Sequence, residues 1–281
     1  MAGRYDISLN NGLGMPPMAI GTNWMDYREL AHLMCCAMDC GFRAIDTARD
    51  YGNEPVVGRV IEDVVSGGVY SREDIFITTK IGNKQQIKGN IAGELEQSLK
   101  NLRTDYVDLW LMHWPFPEYY ESTWEKMIKV YEQGKVRAIG VANFDVRHLH
   151  RLMELFPQMK PMVGQIEFHP LRTCKELVDC MRRNDIRIQA YSPLCRMVPA
   201  LRDSALLKTL ACKYGKTVGQ LVLRWHVQQE VMPVFKTVSE ARLLENADIF
   251  DFEIDDSDMR DISSLNQDYK YHIESVNCPG Y

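Results

Sequence analysis

Phe42-Arg43-Ala44-Ile45-Asp46-Thr47-Ala48-Arg49-Asp50-Tyr51-Gly52-Asn53-Glu54 is a short apolar run that stops at an acid. A phenol follows five residues later, just before a helical pattern opens. The motif recurs in kind at Ile75-Phe76-Ile77-Thr78-Thr79-Lys80 and at Val107-Asp108-Leu109-Trp110-Leu111-Met112-His113-Trp114-Pro115. Each apolar run is the length of a buried strand, and each stops at an ionisable side chain. In a barrel of parallel strands, the edge where strands end is where chemistry is done. Asp46, Tyr51, Lys80 and His113 would then converge as acid, phenol, ammonium and imidazole. A phenol beside an ammonium releases its proton more easily than a free one.

Outward from this stretch, strand-like and helix-like patterns alternate, which argues for βα units and a parallel sheet. Strands are expected near 17–22, 42–46, 74–80, 106–112, 136–141, 162–166, 186–190 and 231–235. Helical patterns are expected near 27–40, 54–66, 90–102, 121–133, 145–155, 174–184, 203–214, 217–229 and 239–247. Asn10-Asn11-Gly12 reads as the turn of an opening hairpin. Gly134 reads as a helix stop, and Asp145 and Ser239 read as N-caps. Asp255-Asp256-Ser257-Asp258 could cap a last helix, leaving a tail with Tyr269, Tyr271, His272 and Tyr281. No linker-like segment divides the chain. The expectation is an α/β protein, a (β/α)8 TIM barrel with a short N-terminal β-hairpin and a C-terminal extension, as a single domain over 1–281.

The 281 residues suit one such barrel. A net charge of -5 gives no reason to expect nucleic acid or an anionic membrane as partner. The polar opening Met1-Ala2-Gly3-Arg4-Tyr5-Asp6 lacks a signal-peptide core, and no apolar stretch of about 18 residues is present. A cytoplasmic location is therefore expected.

The eight cysteines are scattered, and a chain with a large core needs no stapling. His32, Cys36 and Cys40 share one helical face, a spacing that could suggest a metal stripe. No second ligand cluster sits at zinc-type spacing, so these cysteines are read as packing residues and no metal is expected. His148 and His150 read as surface residues of a helix. His169-Pro170 reads as a turn, and Cys195 as a pocket-lining residue rather than a reactive thiol.

Later strands also run into useful groups. They are Val141-Ala142-Asn143-Phe144, then Gln165-Ile166-Glu167-Phe168, then Tyr191-Ser192-Pro193-Leu194, then Lys236-Thr237 followed by Arg242 and Glu245-Asn246. Amides can hold a carboxamide, a tyrosine face can stack on a planar ring, and Lys with Arg beside a helix N-terminus suits a phosphate.

Taken together, in this order and spacing, these motifs make the chain resemble the aldo-keto reductase family over nearly its full length. The resemblance implies a TIM barrel that reduces aldehydes or ketones with a nicotinamide cofactor, NADPH, and without a metal. It implies that Tyr51 is the proton donor, Lys80 and Asp46 tune it, and His113 orients the substrate carbonyl. It implies that Asn143 and Gln165 hold the nicotinamide carboxamide while Tyr191 stacks on the ring. Lys236, Thr237 and Arg242 would meet the adenosine 2′-phosphate, and Glu245 and Asn246 the adenine end. Gly21, Thr22, Asn23, Asp46, Ala142, Ser192 and Leu194 complete the implied cofactor contacts. Substrate would meet Tyr51, His113, Trp24 and Trp114, with Ile81, Phe116 and the tyrosine-rich tail as further candidates for an apolar pocket. A monomer or weak oligomer acting on a small carbonyl compound is expected.

The chain departs from the family pattern in four places. Phe235 stands where Pro is common, Thr237 where Ser is common, Cys195-Arg196 where glycine is usual, and Ile81-Gly82-Asn83 where an aromatic often follows the lysine. None removes a catalytic group. Two other readings are a non-catalytic nicotinamide sensor and a metal-dependent barrel hydrolase. The intact set of four argues against the first, and amides at strands five and six against the second.

Overall fold

The computed structural model describes residues 5–272 and 278. A two-stranded antiparallel hairpin, β1 (Ile7–Ser8) and β2 (Gly14–Met15), opens the chain, with Gly12 at φ 83° in its turn. Eight parallel strands follow: β3 (Ala19–Gly21), β4 (Ala44–Asp46), β5 (Phe76–Ile81), β6 (Leu109–Met112), β7 (Ile139–Ala142), β8 (Val163–Glu167), β9 (Arg187–Tyr191) and β10 (Val231–Phe235). They close into a barrel, because β10 pairs with both β9 and β3. β4 through β8 and β10 are buried along their whole length. That explains why they read as continuous apolar runs rather than alternating ones. No expected strand misses its observed end by more than about three residues.

Helices ring the barrel: α1 (Tyr27–Asp39), α2 (Glu54–Ser66), α3 (Asn83–Lys88), α4 (Ile91–Leu102), α5 (Tyr120–Tyr131), α6 (Val146–Leu155), α7 (Lys175–Arg183), α8 (Pro199–Arg202), α9 (Ala205–Tyr214), α10 (Val218–Val227), α11 (Glu240–Ala247) and α12 (Asp256–Ser263). Their starts follow from capping chemistry. Asp26, Asp145 and Thr217 form reciprocal capping boxes, and the Ser239 hydroxyl accepts the Arg242 amide N–H. α3 and α8 are not legible in the sequence, since each is shorter than two turns and carries no apolar period. His148 differs from its surface reading. It is half-buried, it closes the Asp145 capping box, and its ring lies against Tyr120 and Phe144.

The α2–α4 contact depends on the smallest residue. A Cβ at Gly58 would fall 2.3 Å from the Asn101 carbonyl oxygen and 2.6 Å from the Leu102 carbonyl carbon, both backbone atoms. Gly58→Ala is therefore expected to push the two helices apart, at a cost of about 1–3 kcal/mol. Thermal melts followed by circular dichroism should record a Tm lower by several degrees. An unchanged Tm would contradict this close approach.

Beyond α12 the chain returns to the carboxyl edge of the barrel. The backbone amides of Gln267 and Tyr269 donate to the Leu171 carbonyl. Those of Tyr271 and His272 donate to the two Glu167 carboxylate oxygens, at 2.6 and 2.9 Å. Tyr281 lies outside the described residues.

Candidate active site

Strand ends bring the four ionisable residues together. Asp46 is the last residue of β4, and Lys80 lies on β5 one residue before its end. His113 follows β6, its backbone N–H bonded to the Ile81 carbonyl at 3.0 Å. Tyr51 closes a one-turn 3-10 helix, Arg49–Tyr51, just past β4. The Lys80 ammonium is fully buried and donates to Asp46 Oδ1 at 2.5 Å and to the Thr47 carbonyl at 3.0 Å. It lies 5.2 Å from the centre of the Tyr51 ring. The Tyr51 and His113 rings meet edge to face at 5.9 Å.

Charge and burial compete at each group. Burial opposes the Lys80 ammonium, yet Asp46 and then Tyr51 outweigh it and hold the lysine above its ordinary range. Burial pushes the Tyr51 phenol up, and the opposing pull of Lys80 does not overcome it. The expected downward pull of the ammonium is present, but the protein alone leaves the phenol above its ordinary value. His113 is pushed below the histidine range, again chiefly by burial, with Asp50 pulling the other way.

The next strand ends build an amide network. Asn143, directly after β7, is left-handed at φ 62°, a conformation that asparagine tolerates better than most residues. Its Nδ2 donates to the His113 carbonyl at 2.9 Å, and its Oδ1 accepts the Tyr191 hydroxyl at 2.8 Å. Gln165 Nε2 donates to Asp46 Oδ2 at 2.7 Å and to Gln189 Oε1 at 2.8 Å. Ser192 meets His272, whose ring also lies against Tyr191.

Asp46, Tyr51, His113, Asn143, Gln165, Tyr191, Ser192 and His272 border a cavity of about 1420 Å³, larger than the ~300–1,000 Å³ of an ordinary small-ligand pocket. Every residue expected to contact cofactor or substrate lines it, except Lys80 and Ala142, which lie beneath its surface, and the weaker candidates Ile81, Phe116, Tyr269 and Tyr271. Trp24 stands 85% exposed at its rim. One end is cationic. Lys236 is held below the lysine range by burial; the Glu29 carboxylate opposes this, and the Arg196 guanidinium adds to it. Arg242 lies on α11, which Ser239 caps and whose Glu245 accepts the Thr217 hydroxyl at 2.5 Å. The cations at this end of the cavity suit an anionic group of a ligand.

Asp50, Arg196, Arg202 and His272 line the cavity without having been read as cofactor contacts. The acid inside the Asp46–Tyr51 turn and the cations after Leu194 were the available signals. Cys195 is fully buried, outside the lining, and its thiol is pushed up to about 11 by burial, so the pocket-lining reading gives way to a packing role. His169 is buried, with Nε2 3.1 Å from Glu167 Oε1, as suits its turn. The stripe on α1 assembles differently from its spacing: His32 and Cys36 meet Glu240, not Cys40, at the surface.

This architecture defines a barrel oxidoreductase, and comparison with known proteins agrees. The aldo/keto reductase family model matches residues 12–267. The chain is 42% identical to the glyoxal reductase of Bacillus subtilis (strain 168), over 93% of each chain. It is 36% identical to methylglyoxal reductase DkgA of Escherichia coli (strain K12), over 95% of each. Among solved structures, an aldo-keto reductase of Bombyx mori in complex with NADP superposes with a TM-score of 0.91 at 32% identity, covering 98% of both chains. The chain belongs to the aldo/keto reductase family, and it is a nicotinamide-dependent carbonyl oxidoreductase. No helix among the described residues is long and apolar enough to cross a membrane.

Proposed function

We propose that the protein, as one barrel domain, reduces small 2-oxoaldehydes with NADPH and uses Tyr51 as the proton donor. The observation that carries this reading is the contact of a buried, Asp46-paired Lys80 with a cavity-facing Tyr51. The relatives named as glyoxal and methylglyoxal reductases support the substrate class. The nicotinamide, when bound, supplies a hydride for the carbonyl carbon. The Tyr51 O–H bond breaks, its proton goes to the carbonyl oxygen, and the phenolate left behind is stabilised by the Lys80 ammonium until solvent reprotonates it. His113 orients the carbonyl. With both Gln165 N–H groups engaged by Asp46 and Gln189, Oε1 is its acceptor for a carboxamide N–H. The Tyr191 face would carry the ring. Lys236, Thr237 and Arg242 would hold the 2′-phosphate, and Glu245 and Asn246 the adenine.

The test is NADPH oxidation against glyoxal, methylglyoxal and a panel of ketones and sugars. Tight NADPH binding without turnover of any of them would favour the sensor reading. The cofactor preference has its own expected outcome. Losing one charged phosphate contact should weaken NADPH about 10- to 150-fold. Arg242→Ala is expected to lose that factor for NADPH and to bind NADH as before, measured by quenching of protein fluorescence. Equal wild-type affinities for the two nucleotides would overturn the phosphate site.

A further inference from the structure

Asp50 precedes Tyr51 in the turn past β4, and its Oδ2 lies 3.3 Å from His113 Nδ1. Both side chains border the cavity, Asp50 at 38% exposure and His113 at 14%. The neighbouring Arg49 turns away to Glu54 and Glu94. Space for this carboxylate is made directly after β5, at Gly82. A Cβ at Gly82 would fall 2.1 and 2.2 Å from the two Asp50 oxygens, so any side chain there would displace it. Gly82 has φ -87°, a conformation open to every residue, so space and not backbone freedom explains the glycine.

The contact fixes a proton count. An ionised carboxylate only accepts hydrogen bonds, so Nδ1 must carry the hydrogen that joins the pair. A neutral imidazole has one such hydrogen, which leaves Nε2 with a lone pair and nothing to donate to a carbonyl oxygen. Donation from Nε2 requires one more proton in the pair, either on the imidazole or on Asp50 with the tautomer reversed. The other groups facing His113 are Tyr51 on the same turn as Asp50, Lys80 on β5 and Asp46 on β4. Lys80 and Asp46 are already committed to each other. Asn143 from β7 reaches only the His113 backbone carbonyl.

We propose that Asp50 is a positioning residue that makes His113 a proton-counted partner of the substrate oxygen. With the extra proton, Nε2–H donates to the carbonyl and favours reduction. Without it, the Nε2 lone pair can only accept a hydrogen bond, and the carbonyl oxygen loses this donor. The inference rests on the reading of Tyr51 and His113 as the groups that face the carbonyl. Because the donor form holds the extra proton, reduction is lost as pH rises through the pair's apparent pKa. Burial opposes that proton and Asp50 favours it.

The experiment is kcat/KM for methylglyoxal reduction from about pH 5 to about pH 9 in wild type, Asp50→Asn, Gly82→Ala and Tyr51→Phe, with NADPH affinity measured for each. An asparagine amide can donate to Nδ1 and leave Nε2–H on a neutral imidazole, so Asp50→Asn needs no extra proton. Wild type is expected to fall about tenfold per pH unit on the alkaline side of the pair's pKa, and Asp50→Asn to stay flat there. Gly82→Ala, which keeps the acid but displaces it, should move the profile the same way and decides the matter if Asp50→Asn does not fold. Profiles of one shape, whatever their height, would overturn the inference and reduce Asp50 to a structural role. Near-normal turnover in Tyr51→Phe would instead sink the underlying reading.

Discussion

Tyr51→Phe is expected to lower kcat for carbonyl reduction by ~10²-fold or more and to leave nucleotide affinity unchanged, because on the proposed mechanism it removes a positioned general acid, together with the hydroxyl's hydrogen bond to Lys80. The ring is retained, so its edge-to-face contact with His113 and its contact with Lys80 survive. Folding should therefore match wild type by circular dichroism. The chemistry makes the expectation specific. A donor must hold its proton until the hydride arrives, and burial pushes the Tyr51 phenol above its ordinary value. Lys80 matters at the next instant, when negative charge develops on the oxygen. The measurement is single-turnover NADPH oxidation with methylglyoxal, which separates chemistry from product release. A variant that turns over at near the wild-type rate would remove Tyr51 from the mechanism.

The parts of this site that sequence made legible are those written locally. A buried strand ending in Asp46, Lys80 or His113 announces itself, because charge next to a continuous apolar run needs a partner or a function. Closure of the barrel follows from eight such runs alternating with helical ones. The parts that were not legible depend on space between distant segments. Asp50 looks like a solvated turn acid until His113, 63 positions away, and the room that Gly82 leaves for its carboxylate are known together. Glu167 reads as one more strand-end acid, yet its two oxygens tie down Tyr271 and His272 more than a hundred residues later. The approach of Arg196 to Lys236 joins segments that share no pattern. The sign of a balance is equally hidden. Sequence places an ammonium beside a phenol, but only burial decides which influence on Tyr51 is larger.

Lys80→Met is expected to abolish most turnover, and it is also expected to destabilise the protein. The two effects must be separated. Lys80 is wholly buried and Asp46 only 3% exposed, so methionine would keep the length of the side chain but strand a buried carboxylate. Gln165 would remain on Asp46 Oδ2, and Oδ1 would lose the ammonium. Removing one partner of a buried pair costs about 3–5 kcal/mol. Loss of activity in the single variant could then be loss of fold. The double variant Lys80→Met/Asp46→Asn resolves this. It removes both charges, so it should recover much of the lost stability, read as denaturant midpoint, while turnover stays at the level of the single variant. Asp46→Asn alone should be milder in kcat, because it leaves a cation beside the phenol, although burial then acts on Lys80 with less opposition. A stable, active Lys80→Met or double variant would mean that Tyr51 gives up its proton without the ammonium. The convergence of the four residues would then be packing, and the nicotinamide-sensor reading would stand ahead of catalysis.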